Sequence, residues 1–251
     1  MGNREKSLYL HGIHSHHTVV FLRHPWRHIL SQFLECKYSP WGKRVTKGAN
    51  FPGRIKSRPA AGIRIWLRFF SRPRELPRHM LSSYRSPNDF ALITLPTLPK
   101  LNCYDPWNMQ ARYLAPVHVD DRHGLVSGER GLRPSLKEAV SNLNRHINFL
   151  GITDLYPESL CLFHFYSTGG LPAGCQCGNV TLSTAHISHG VPRHSLDVLE
   201  PDILDMMYPF SEVDSLLYLE GLKKFKAFAD KVAAATGIDL LCNGQVEKLR
   251  E

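Results

Sequence analysis

The residues with the clearest chemical potential fall in one short stretch, FLRHPWRHILS, residues 21–31. Residues 18–22 form a β-branched and aromatic run, the pattern of a buried strand. Pro25 then stands where a first helical residue belongs, and Ile29, Leu30, Phe33 and Leu34 follow at helical spacing. The pattern predicts a strand, a tight turn and a helix. A strand that ends in arginine and feeds a helix N-terminus presents orphan backbone N–H groups to an anion. Arg23 adds a planar guanidinium fork suited to phosphate, and Ser31, two turns into the helix, adds a hydroxyl donor. Arg23 and Ser31 are therefore the expected ligands of a phosphate-type anion. Local physics supports equally a strand–helix junction whose arginine pairs with a carboxylate.

The elements that position this stretch are legible further on. From residue 43 to 99 regular patterning dissolves among proline, glycine and arginine, and only residues 63–70 keep apolar periodicity. So long a stretch predicts a functional loop, a disordered segment or sequence foreign to the fold. Residues 107–115 read as one short helix. Ser135 and Glu138 form a capping box that opens a helix through Ala139, Leu143 and Ile147. Residues 149–152 read as a strand end, 157–165 as a helix, and 167–192 as a loop rich in glycine, cysteine and histidine. Ser211 to Asp214 is expected to cap a long helix, whose stripe of Val213, Leu217, Phe225, Phe228 and Val232 ends at Gly237. There is no internal repeat.

A chain of 251 residues can bury one large α/β domain or two small ones. The reading adopted is one domain over 1–251, with 42–100 as a basic Pro/Gly/Arg-rich insert. No run reaches the ~18–20 apolar residues of a membrane span, and residues 1–17 lack the pattern of a secretory signal. The net charge of +9 is concentrated: residues 42–86 hold 12 Lys/Arg against one acid, Glu75. There Trp66, Phe69 and Phe70 interleave with Arg64, Arg68 and Arg72, as stacking surfaces for nucleic acid would. No nucleic-acid motif accompanies them, so a nucleic-acid partner is not the first choice. The six cysteines are scattered and neither demand nor exclude an oxidising compartment. Cys175 and Cys177, with His186 and His189, lack the usual two-residue zinc gap, so an ordinary loop or a local disulfide is favoured and no metal is expected. The sequon Asn179-Val180-Thr181 matters only if the chain enters the secretory pathway.

The run FLRHPWRHILSQF resembles the 3′-phosphoadenosine motif, LRDPxxRxxS, of carbohydrate sulfotransferases related to the heparan sulfate 2-O- and 6-O-sulfotransferases. Arg23 and Ser31 fall on the motif's two phosphate ligands, Pro25 and Arg27 match, and His24 replaces the aspartate. Three further stretches resemble that family in order: residues 108–114 its NxQxRxL helix, residues 139–162 its NL…FVGLTE…ESL block, and residues 214–225 its closing DxxLYxxAxxxF helix. The resemblance implies a nucleotide-kinase-like (P-loop-type) α/β fold with a parallel sheet flanked by helices. It implies sulfuryl transfer from 3′-phosphoadenosine 5′-phosphosulfate (PAPS) to a carbohydrate hydroxyl, and Golgi residence if an N-terminal anchor is present, a soluble protein otherwise.

The family's Lys/Gly/Ser/Thr loop for the 5′-phosphosulfate has no counterpart before Arg23, so the fold is expected to be N-terminally incomplete; the resemblance implies a PAPS-dependent enzyme and leaves the activity of the chain as written open. The family's Gly-His element makes His14 the expected catalytic base and His11 the second choice, against a solvated polar tail. The alternative functions are a non-catalytic remnant, or a polyanion- or nucleic-acid-binding protein using residues 42–86.

Overall fold

The structure, a computed structural model, describes residues 17–46, 51–54, 58–71, 101, 103–115, 134–180 and 190–250. Strand β1 (Val19–Leu22) leads into helix α1 (Pro25–Tyr38), with Pro25 at its first turn, as the sequence predicts. Helices α2 (Pro40–Val45), α3 (Ile63–Ser71), α4 (Met109–Leu114) and α5 (Leu136–Arg145) follow. Strand β2 (Phe149–Ile152), a 3-10 turn over Thr153–Leu155, α6 (Tyr156–Thr168) and the long α7 (Pro201–Thr236) complete the order. The Ser135 hydroxyl accepts from the Glu138 N–H and starts α5, as its capping box requires.

Among the described residues the sheet consists of β1 and β2 alone, parallel, with Val19 opposite Phe149 and Leu22 opposite Ile152. This overturns the expected P-loop-type fold. Such a fold needs successive strand–helix units that lay several parallel strands side by side. Among the described residues five helices separate the two short strands, and most of the buried apolar residues lie on helices. The core is accordingly built by helices. The resemblance to the sulfotransferases is local likeness of segments that another, mostly helical architecture uses.

Two apolar clusters form the interior. One surrounds the sheet and takes in Leu22, Leu143, Phe149, Leu162, Leu217, Leu222 and Phe225. Gly221 allows α7 to lie against β1, because a Cβ there would stand 2.6 Å from Leu22 Cδ1. The other cluster gathers Ile29, Leu30, Phe33 and Leu34 of α1 with Phe51, Ile63, Trp66 and Phe70. Trp66 is fully buried and its indole N–H donates to the Leu101 carbonyl at 2.9 Å; Phe70 is buried beside it. The interleaved aromatics of α3 are thus core, not stacking surfaces. Arg64 pairs with Glu200 and Asp202 at the start of α7, so part of the basic segment is neutralised internally.

Helix α7 begins ten residues before the expected cap at Ser211 and runs through Pro209. A proline inside a helix removes one N–H and disturbs the turn around it. Asn108, the one non-glycine described residue in the left-handed region (φ 40°), docks at this disturbed turn. Its N–H donates to the Phe210 carbonyl at 2.7 Å, and its Oδ1 accepts from the N–H groups of Val213 at 2.8 Å and Asp214 at 3.2 Å. Ser211 is fully buried and back-bonds to the Met207 carbonyl.

All six cysteines are paired: Cys36–Cys103, Cys161–Cys175 and Cys177–Cys242. The Cys175/Cys177 pair is therefore spent on two staples, and among the described residues no cluster of metal-ligating side chains occurs. No described helix is long and apolar enough to cross a membrane.

Candidate anion site

The carboxyl ends of both strands deliver their next residues to one place. Arg23 and His24 follow β1, and Asp154 lies in the 3-10 turn that follows β2. Gln110 of α4 grips Arg23 by its backbone: the Arg23 N–H donates to Oε1 at 2.8 Å, and Nε2 donates to the Arg23 carbonyl at 2.9 Å. Gln110 is itself set by Asp214 of α7. The two carboxylate oxygens of Asp214 accept the N–H groups of Gln110 and Ala111 and so cap α4 from outside.

Asp154 is nearly buried and fully subscribed. Its Oδ1 accepts from Arg27 at 2.9 Å, and its Oδ2 accepts the His24 N–H at 2.8 Å and the Tyr218 hydroxyl at 3.1 Å. Burial and this neighbouring carboxylate push the Tyr218 phenol far above its ordinary value. Asp154 thus neutralises Arg27. The Arg23 guanidinium, half-buried, makes no hydrogen bond or ion pair with any described residue. Burial lowers its pKa, while the charge of Asp154 opposes that shift.

Among the described residues, Arg23 is the cation at this junction that makes no ion pair. Burial, and after it the charge of Arg23, pushes His28 down to about 4, and burial lowers His24 as well. His28 is therefore neutral near pH 7, and His24 is shifted toward its neutral form. His24 packs against the rings of Trp26 and Tyr218, and its Nδ1 is buried without a partner. Among the described residues no side chain caps the first turn of α1, which leaves the N–H groups of Trp26 and Arg27 available beside the arginine. Arg27 and Ser31 lie one turn apart on α1, and the half-buried Ser31 hydroxyl has no hydrogen bond among the described residues.

Of the residues singled out in the sequence, Arg23 and Ser31 belong to this junction; His14 and His11 lie outside the described residues. The paired-arginine alternative is met by Arg27 rather than by Arg23. Sequence reading missed Asp154, Gln110, Tyr218 and Asp214. All four stood within the matched blocks, yet no role was read for them there; Gln110 and Asp214 position the β1–α1 turn.

No family model, curated protein or solved structure matches the chain. With the parallel multi-stranded nucleotide core replaced by a helical one, the sulfotransferase activity, the PAPS donor, the carbohydrate acceptor and the Golgi membrane enzyme that the resemblance implied do not stand.

Proposed function

We propose that this chain is a disulfide-cross-linked helical domain of an oxidising compartment that binds an oxoanion at the β1–α1 junction. Arg23 is the principal ligand and Ser31 an auxiliary donor. The observation that carries the reading is the Arg23 guanidinium: partly desolvated, held by its backbone and without an ion pair or hydrogen bond to any described residue, since the nearby Asp154 bonds Arg27, His24 and Tyr218 instead. A half-buried cation beside an uncapped helix start gains most from an anion that completes its hydrogen bonds. Three disulfides that use every cysteine support the compartment, because reducing cytosol does not keep such a set oxidised.

Sulfate is the test ligand, with chloride at equal ionic strength as control. At ten times its Kd, sulfate is expected to stabilise the folded protein by about 1.4 kcal/mol. Arg23→Ala should abolish the effect and Ser31→Ala should reduce it. Stabilisation that survives Arg23→Ala would remove the site from this junction.

The pH dependence assigns the charge. With His28 neutral, His24 shifted toward its neutral form and Arg23 charged, sulfate affinity is expected to be flat between about pH 7 and 8. Calorimetric titration across that range checks it. A loss of affinity as pH rises through the ordinary histidine range would give the charge to an imidazole.

A further inference from the structure

We propose that Asn179 is an N-glycosylation site, a modification that rests on the oxidising-compartment reading above. The sequon Asn179-Val180-Thr181 has valine, not proline, at its middle position and threonine as the hydroxyl residue. Asn179 is exposed, and its side-chain amide makes no hydrogen bond with any described residue; only its backbone N–H is used, donating to the Gln176 carbonyl at 2.9 Å. Gly178 before it takes φ 74°, and a Cβ there would meet no described atom within 4 Å, so the position preceding the asparagine faces open space. A sugar on Asn179 would displace no hydrogen bond of its side chain to a described residue.

The disulfides make the order of events favourable. Cys175 pairs with Cys161, already synthesised when the sequon emerges, whereas Cys177 must wait for Cys242, 65 residues later. The sequon therefore reaches the lumen before the loop that contains it is tied to the C-terminal segment. The transfer is performed by the cell's oligosaccharyltransferase with a lipid-diphosphate-linked oligosaccharide. The Asn179 Nδ2 attacks the anomeric carbon, the N–C bond forms, the C–O bond to the lipid diphosphate breaks, and the amide loses one proton as the lipid diphosphate leaves.

The test directs the full chain into the secretory pathway of cultured human cells behind a cleavable leader. Two readouts are taken: gel mobility before and after an N-glycan-cleaving glycosidase, and thiol count by alkylation and mass spectrometry. One glycosidase-sensitive shift is expected, absent in Asn179→Gln and Thr181→Ala and retained in Thr181→Ser, with no free thiols. No shift with all three disulfides formed overturns the glycan and leaves the compartment reading standing. A shift with free thiols supports the glycan and overturns that reading, and no shift with free thiols overturns both.

Discussion

Lys37→Ala is expected to cost about 3–5 kcal/mol of stability, read as a fall of roughly 10 °C in Tm. Lys37 is fully buried on α1, and its ammonium donates to three backbone carbonyls, those of Arg58 at 2.8 Å, Pro59 at 2.9 Å and Ala61 at 3.2 Å. It also sits 4.9 Å from the Tyr38 ring centre. This one side chain therefore ties the loop before α3 onto α1. Arg54 answers from the neighbouring turn by donating to the Cys36 and Lys37 carbonyls at the end of α1. Removing the ammonium leaves three carbonyls without their donor and a cavity beside Phe33. Lys37→Met, which keeps most of the volume, should fall between Ala and the parent. Urea denaturation measures all three, and an Ala variant within 1 kcal/mol of the parent would show that other donors serve those carbonyls.

Asn108→Ala is expected to cost a similar ~3–5 kcal/mol, because it strips the acceptor from two buried α7 N–H groups and puts alanine at positive φ. Asn108→Gly relieves only the backbone term and should recover about 1 kcal/mol of that loss. The same junction carries a pH signature through Asp214. Burial, against the N–H groups of Ala111 and Gln110, raises its carboxyl to about 6 from 3.8. The folded state therefore holds a proton that the unfolded chain has released. The associated stability is fully present below the unfolded value and is lost as pH rises through about 6. Stability should thus increase by on the order of 1 kcal/mol from this group between pH 7 and 5, and Asp214→Asn should flatten that rise. Denaturant titrations at the two pH values check it, and an unchanged slope in Asp214→Asn would assign the rise to another group.

Much of the local structure was legible and the architecture was not. The β1–α1 turn, the Ser135 cap and the stripe of α7 are written in near-neighbour spacing, which is where sequence patterns are strong. The sheet is different. Whether Val19–Leu22 gains one neighbour or four depends on what the rest of the chain does, and family-like segments tilted that choice toward a parallel nucleotide fold. Pro209 misplaced the start of α7, since proline usually ends a helix and the residue that rescues it, Asn108, lies 105 and 106 positions from the N–H groups it accepts. The α3 aromatics read as stacking surface because the stretch around them looked structureless. At the site, Arg23 and Ser31 were visible as residue types. The carboxylate that passes over Arg23 for Arg27, and the glutamine that grips the Arg23 backbone, were long-range facts without a local signal.

The oxoanion site proposed at Arg23 rests on a guanidinium that no described residue pairs. Its most direct measurement is the ¹⁵Nε–Hε resonance of Arg23 in labelled protein during a sulfate titration at constant ionic strength, assigned by its disappearance in Arg23→Lys. The expected result is a saturable shift of that resonance, larger than for Arg27, with the same midpoint as the thermal stabilisation. An Arg23 resonance that stays fixed while sulfate stabilises the protein, or one that moves linearly without saturation, would contradict it.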